Sequence, residues 1–346
     1  MNKKRLLIIT DAWKPQVNGV VMTLSQTKRE CEKRGFYVDM LTPESFRYSF
    51  PCPFYKSIRL AVPNRKVIEN KLRLHHPDYI HIATEGPIGI AAAKILKEKK
   101  VPYTTSYHTK FPEYVNMRIP FIKKKTVYDF LYKKVHNGAN KILVTTESMK
   151  QELLENGFPA DKLEVWGRGI DTDKFTFKGT PNLFKTLLYV GRISKEKDVG
   201  VFLNAFVNSP FKLRIVGDGP DLRKLKRKYA KYSNVIFVGE KTGDSLVREY
   251  QSADIFVFPS KSDTFGIVQL EAMACGLPVA AFDVTGPKDV IINGVNGYTH
   301  SNLHNAVNNC QNIDAEKCAN SVQHLTWESV TSTFIDTLTP TKREHW

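Results

Sequence analysis

Short apolar runs rich in Ile, Leu, Val, Phe and Tyr alternate along this chain with longer segments whose apolar residues recur at helical spacing. The runs Arg5–Thr10, Tyr37–Thr42, Tyr79–Ala83, Tyr103–Tyr107, Lys141–Thr145 and Leu163–Trp166 predict strands in the first half. Thr186–Val190, Lys212–Val216, Val235–Val238, Ile255–Phe258 and Val279–Phe282 predict them in the second. These runs lack strict alternation, which suits strands buried on both faces. The intervening segments read as helices; Val20–Arg34, for one, ends at Gly35, a natural C-cap. Strand–helix alternation throughout implies parallel sheets with right-handed crossovers, an α/β class of doubly wound domains.

The series starts twice. Lys3–Thr10 opens one array, and Lys185–Val190 opens another after the polar stretch Asp171–Asn182. A length of 346 residues suits two domains. The expected division is a first domain over 1–170, a second over 171–325, and a closing helix and tail over 326–346. That last helix shows in Trp327, Val330, Phe334 and Leu338 at helical spacing. Two doubly wound domains lead us to expect a ligand in the cleft between them, at the carboxyl ends of the strands.

Composition narrows the class. With 42% hydrophobic and 25% charged residues and no biased tract, disorder, collagen and coiled coil are excluded. The formal net charge is +16. Residues 1–170 hold 30 Lys+Arg against 16 Asp+Glu, and residues 171–346 hold 21 against 19. The excess thus falls in the first half and points to an anionic partner, nucleic acid or an acidic membrane surface. Cys31, Cys52, Cys275, Cys310 and Cys318 are odd in number and form no C-x-x-C pair, so free thiols in a reducing compartment are expected. The apolar run Leu6–Ile9 is too short for a signal peptide, and no stretch reaches the roughly 18–20 apolar residues of a spanning helix. A cytoplasmic protein is expected, with any membrane contact peripheral.

The candidate chemistry lies where strands end. After the first strand comes Asp11-Ala12-Trp13-Lys14-Pro15-Gln16-Val17-Asn18-Gly19, then a helix; Gly19 there lets backbone approach a phosphate, and a plain turn is the alternative. The three-glycine dinucleotide fingerprint is missing, which argues against NAD or FAD. In the second half Arg192 and Lys197 follow a buried strand, two cations suited to a diphosphate or to a solvated loop. After Ile255–Phe258 an apolar helix from about Gly266 to Cys275 carries one acid, Glu271. Such a carboxylate needs a buried or ligand-borne partner, and a sugar diol serves. Asp263 precedes that helix, and the amides of Phe265, Gly266, Ile267 and Val268 can receive a diphosphate.

Arg192…Lys197 followed by Asp263-x7-Glu271, inside a Phe-Gly-Ile-Val-x-Leu-Glu-Ala-Met-Ala-Cys-Gly-Leu-Pro-Val run, closely resembles retaining glycosyltransferases of family 4, with the two-Rossmann GT-B fold. The likeness continues through Gly217-Asp218-Gly219-Pro220 and Val238-Gly239. It implies that Arg192 and Lys197 bind a donor diphosphate, joined by the Gly19 backbone. Glu271 would hydrogen-bond ribose, Asp263 the transferred sugar, and Val238-Gly239 would lie near the base. Asp263 stands where the commoner pattern has Glu, a shorter arm shared with some glycolipid-forming relatives. Pro77–Pro87 and Ser106–Tyr114 resemble a subgroup of α-mannosyltransferases and makers of sugar-diacylglycerols. The resemblance puts His108 at the active site, against the sugar or departing phosphate, whereas His81 reads as structural. It also implies retention of configuration. No acid cluster suits Mg²⁺, so neither metal nor cofactor is expected.

The basic first half centres on residues 114–136, with Arg118, Lys123, Lys124, Lys125, Lys133 and Lys134 among Phe121, Tyr128 and Phe130. Cations beside aromatic rings suit shallow docking on an anionic leaflet. Alternatively, Val127, Leu131 and Val135 are a core face and the lysines its solvated side. Lys94, Lys97, Lys99 and Lys100 add a second cluster. No nucleic-acid motif is present, and no nucleic-acid partner is expected. The expected activity is transfer of a hexose from a nucleotide diphosphate sugar, a UDP-sugar first, to a membrane lipid such as diacylglycerol, at the cytoplasmic face of a membrane. The alternatives are a GDP-mannose-dependent α-mannosyltransferase and a non-catalytic sugar-nucleotide-binding protein.

Overall fold

The computed structural model describes residues 3–16, 18–52, 55–179 and 185–342, the side chains of 55–58 excepted. Val17 of the first loop, 180–182 of the polar stretch and 343–346 of the tail lie outside the described residues. The chain forms two compact units, Met1–Gly167 with Trp327–Trp346, and Arg168–Thr326.

In chain order the first unit has β1 (Arg5–Ile9), β2 (Tyr37–Leu41), β3 (Ser49–Cys52), β4 (Tyr55–Ala61), β5 (Tyr79–Ile82), β6 (Thr104–Tyr107), β7 (Lys141–Val144) and β8 (Leu163–Val165). Six of them make a parallel sheet in the order β2-β1-β5-β6-β7-β8, and β3 pairs antiparallel with β4. The second unit has β9 (Thr186–Val190), β10 (Lys212–Val216), β11 (Val235–Gly239), β12 (Ile255–Phe258), β13 (Val279–Ala281) and β14 (Gly297–Thr299). They pair in parallel in the order β11-β10-β9-β12-β13-β14. Both sheets are thus doubly wound, and their strand order reverses between β1 and β5 and between β9 and β12. Ligands bind such sheets beyond the carboxyl ends of the strands at the reversal.

The sequence reading does not contain the β3–β4 hairpin or β14. Pro51 and the polar alternation around it give no continuous apolar run, and β14 is an edge strand of Gly, Tyr and Thr. The central strands behave as their composition demands: Leu6–Ile9 and Leu187–Val190 are buried throughout. One device pins the amino end of the lead strand in each unit. Asp78 Oδ2 accepts from the Arg5 amide at 2.7 Å, and Asp254 Oδ2 accepts from Lys185 and Thr186 at 2.9 and 2.7 Å.

The helix Trp327–Thr337 is integral to the first unit. Val330 and Phe334 share a core with Leu6, Ile8, Leu24 and Trp166. The Phe334 ring lies 4.9 Å from both Trp166 and His81. Beyond the helix, the Thr341 amide donates to the Asp78 carbonyl at 2.8 Å.

At the carboxyl end of β1 a buried acid fastens the reversal point. Asp11 accepts from the amides of Ile88 at 2.8 Å and Gly89 at 3.2 Å, and from the Thr84 hydroxyl at 2.9 Å. It caps the helix Pro87–Glu98, whose own N-cap Gly86 has no side chain to offer. A Cβ on Gly86 would fall 2.4 Å from the Asp11 carboxyl carbon, so the acid claims that space. Burial pushes the Asp11 carboxyl up to about 6, with Glu85 adding, against the lowering effect of its donors.

Two predictions follow from these contacts. Phe334→Ala should cost about 3–5 kcal/mol, read as an earlier urea transition of the first unit. Because the folded pKa of Asp11 lies above its unfolded value, its stabilisation is full below about pH 4 and lost as pH rises through 6. The stability of wild type relative to Asp11→Asn should therefore fall by roughly 2–3 kcal/mol between pH 4 and pH 7. A difference that stays flat with pH would show that Asp11 does not titrate there.

Candidate active site

The loops that leave β9 and β12 carry five of the expected residues, Arg192, Lys197, Asp263, Phe265 and Gly266. Gly191 follows β9 at φ +151°, and beneath it the Tyr189 hydroxyl donates to the Arg192 carbonyl at 2.8 Å. Over this turn lies the Gly217-Asp218-Gly219 loop from β10. A Cβ on Gly217 would fall 1.9 Å from the Gly191 carbonyl oxygen, and one on Gly219 would fall 2.3 Å from that of Ile193. Backbone meets backbone here: Ile193 donates to Asp218 at 2.8 Å, and Gly217 donates to Gly239 at 2.9 Å. Arg192 is so placed on a turn braced from below and above, and Val238 and Gly239 lie half-buried at the end of the neighbouring strand.

Lys197 closes the short turn Lys195–Lys197 and forms an ion pair with Asp263 through its ammonium and Oδ1. The structure brings together two residues that the sequence assigned to different parts of a ligand. The other carboxylate oxygen of Asp263 is buried without a partner among the described residues. The hydroxyls of Ser260 and Ser262 both donate to the Glu196 carbonyl, at 3.2 and 3.0 Å, which locks the two loops to each other.

The apolar helix spans Ile267–Ala274. Its N-cap Gly266 has φ +82°, and a Cβ there would fall 2.6 Å from the Phe258 ring. No side chain caps the first turn, so amides at Ile267 and Val268 carry the positive end of the helix dipole. The side chains of Phe265 and Ile267 are buried. Glu271 is buried, and the Tyr250 hydroxyl donates to its Oε2 at 2.7 Å. Burial raises the Glu271 pKa, against Tyr250 and the charge of Lys174, which lower it. Tyr250 and Tyr189 are positioning groups that sequence reasoning missed, because each acts across a loop or helix that spacing does not reveal.

In the first unit Gly19 opens the helix Gly19–Lys33, capped by the Asn18 side chain on the Val21 amide at 3.0 Å. His108 follows β6, buried, with its ring 5.6 Å from Trp166. Trp166 in turn rests on Phe334, so the helix near the C-terminus helps seat this histidine. His81 is a core residue, bonded to Thr104 at 2.9 Å and Ser106 at 2.7 Å, and burial lowers its pKa to about 3.

The basic segment forms the helices Phe111–Arg118 and Lys124–Leu131 and a π-turn over Tyr132–His136. Lys123, Lys124, Lys125, Lys133 and Lys134 are exposed; Arg118 is half-buried against the Tyr114 carbonyl. Phe121 is 86% exposed and Phe130 48%. Leu131 and Val135 face the core, so the segment is at once a packed helix and a basic, aromatic surface. Two readings need correction. Tyr128 is not available to an interface: it is buried, and its hydroxyl donates to Glu152, which also pairs with Lys110. Lys97 turns inward to the carbonyls of Lys133 and Lys134 and to Asn137. Lys124 and Lys125 spend part of their charge on Glu113 and Asp129. No helix among the described residues is long and apolar enough to cross a membrane.

These motifs fall inside two family models: Glycosyltransferase Family 4 matches residues 17–174 and Glycosyl transferases group 1 matches 171–306. The sulfoquinovosyl transferase SQD2 of Arabidopsis thaliana is 31% identical over 72% of this chain, which spans about half (51%) of that relative's length. A GDP-mannose-dependent alpha-mannosyltransferase of Mycobacterium tuberculosis is 26% identical over 83% of this chain and 81% of its own. The alpha-monoglucosyldiacylglycerol synthase of Streptococcus pneumoniae is 28% identical over 80% of this chain and 70% of its own. Among solved structures, sucrose-phosphate synthase from Thermosynechococcus elongatus matches 96% of this chain and 98% of its own, with TM-score 0.76 at 18% identity, a likeness of fold. Two family models that meet end to end over the residues described above make this chain a member of glycosyltransferase family 4, with the GT-B fold.

Proposed function

We propose that this protein is a retaining hexosyltransferase that uses a UDP-sugar to glycosylate a membrane lipid such as diacylglycerol. The observation that carries the reading is the cluster at the β9/β12 reversal: Arg192, the Lys197–Asp263 pair and the uncapped start of the helix at Gly266. Two cations and a helix N-terminus are suited to a diphosphate, and the buried Glu271 beside Tyr250 is suited to a ribose diol. Membership of family 4 supports transfer as the chemistry. The glucosyldiacylglycerol synthase among the relatives and the basic, aromatic surface of 118–134 support a lipid acceptor and peripheral attachment to the cytoplasmic face of a membrane.

The residues suggest the following course. A diphosphate draws Lys197 from Asp263, whose freed carboxylate then accepts from a sugar hydroxyl. The bond between the anomeric carbon and the phosphate oxygen breaks, and Arg192, Lys197 and the helix amides stabilise the charge that develops on the leaving diphosphate without a metal. The acceptor oxygen bonds to the anomeric carbon on the same face and gives its proton to the departing phosphate oxygen. His108 orients the sugar or that phosphate. The mannosyltransferase relative favours a second reading, GDP-mannose as donor and a lipid-linked or saccharide acceptor.

Incubation with a panel of UDP- and GDP-sugars and diacylglycerol-containing membranes, with products read by mass, decides between the donors. Arg192→Ala and Lys197→Ala should each lower kcat/KM for the sugar nucleotide by about 100-fold or more. A double variant with normal transfer would refute the site. Vesicles with phosphatidylglycerol should bind the protein and release it in high salt, and Lys123→Gln/Lys133→Gln/Lys134→Gln should weaken binding. Equal binding to neutral vesicles would remove charge from the account.

A further inference from the structure

The charge balance of the second half conceals a local extreme. Arg223, Lys224, Lys226, Arg227, Lys228 and Lys231 are six cations within ten residues, with no acid among them. Outside that stretch, residues 171–346 hold 15 basic against 19 acidic side chains. The structure places five of the six on one short helix, Leu222–Tyr229, which follows the Gly217-Asp218-Gly219 loop. Leu225 and Tyr229 are buried on its inner side, and all six cations are exposed.

Among the described residues no carboxylate lies within 4.0 Å of any of the six; Lys228 reaches the Asn204 amide oxygen at 3.1 Å. Nor do the charges serve the helix. Lys226, Arg227 and Lys228 suit its last turn, but Arg223 and Lys224 oppose the dipole in the first, where there is no acid. Arg223 and Arg227, like Lys224 and Lys228, are like charges four residues apart, an arrangement that destabilises a helix. A patch whose first turn works against its own helix, and whose cations pair with no carboxylate among the described residues, is matched to an external anion.

We infer that the helix Leu222–Tyr229 is a second membrane contact, a cationic face that lies against anionic lipid headgroups. The face is purely electrostatic. Tyr229 is buried and Tyr232 half-buried, with Lys228 and Lys231 at 5.0 and 5.1 Å over their rings. The helix therefore offers no exposed ring on which a nucleic-acid base would stack and no apolar side chain to insert among acyl chains. A surface of clustered headgroup charge is the partner that such a face fits. The inference shares the membrane with the proposed function and is independent of its donor and acceptor.

The test uses the full chain and vesicles of phosphatidylcholine with or without about a third phosphatidylglycerol, at roughly 0.1 M salt. Arg223→Gln/Lys224→Gln/Lys226→Gln/Arg227→Gln should weaken binding to the anionic vesicles by about tenfold or more and flatten its dependence on salt. Its thermal unfolding should come at or slightly above the wild-type temperature, and its affinity for the sugar nucleotide should match wild type. Combined with Lys123→Gln/Lys133→Gln/Lys134→Gln, the losses should multiply. Vesicle binding unchanged in the helix variant overturns the inference, and so does wild-type preference for an oligonucleotide duplex over anionic vesicles that the variant abolishes. If the helix variant loses vesicle binding while no sugar reaches lipid in wild type, the inference stands and the lipid-acceptor reading falls.

Discussion

The second unit depends on one close approach. The Gly217-Asp218-Gly219 loop sits so near the Gly191–Ile193 turn that a single methyl group at either glycine would overlap a carbonyl oxygen. Parallel strands buried on both faces leave polar chemistry nowhere to go except the loops at their ends. Those loops must then be held rigid without a core of their own. Here backbone braces backbone at the glycines, through Ile193 on Asp218 and Gly217 on Gly239, and side-chain hydroxyls of Tyr189, Ser260 and Ser262 add to it by donating to the Arg192 and Glu196 carbonyls. Arg192, Lys197 and Asp263 inherit their positions from that bracing.

The first unit solves the same problem with side chains. A buried carboxylate caps a helix whose own first residue is glycine, and a tryptophan–phenylalanine stack seats His108. The contrast is physical. In the second unit Gly191, Gly217 and Gly219 let main chains touch where loops cross; in the first, Gly86 leaves its space to the Asp11 carboxyl, so a side chain fastens the loops there.

Much of this was legible in the chain. The central strands and the restart near residue 185 follow from apolar runs, which are local signals, whereas the Arg192…Lys197…Asp263…Glu271 series stands out through its resemblance to family 4. The hairpin of β3 and β4 escaped notice because alternating polar residues and Pro51 mimic a loop. Tyr250 and Asp11 were illegible because their partners lie 21 and 77 residues away, at Glu271 and Ile88. A net of two charges over the second half conceals six cations on one short stretch. Tyr128 shows the converse, since an aromatic ring in a basic segment looks like surface until its hydroxyl finds Glu152 in the interior.

The Trp166–Phe334 stack has a consequence in time. The second unit is continuous in the chain, from Arg168 to Thr326, whereas the first takes its last core residues from beyond it. On the ribosome, all residues of the second unit emerge before Phe334 does. The first unit, though synthesised first, waits with its Trp166 surface and the seat of His108 uncovered until the helix Trp327–Thr337 arrives.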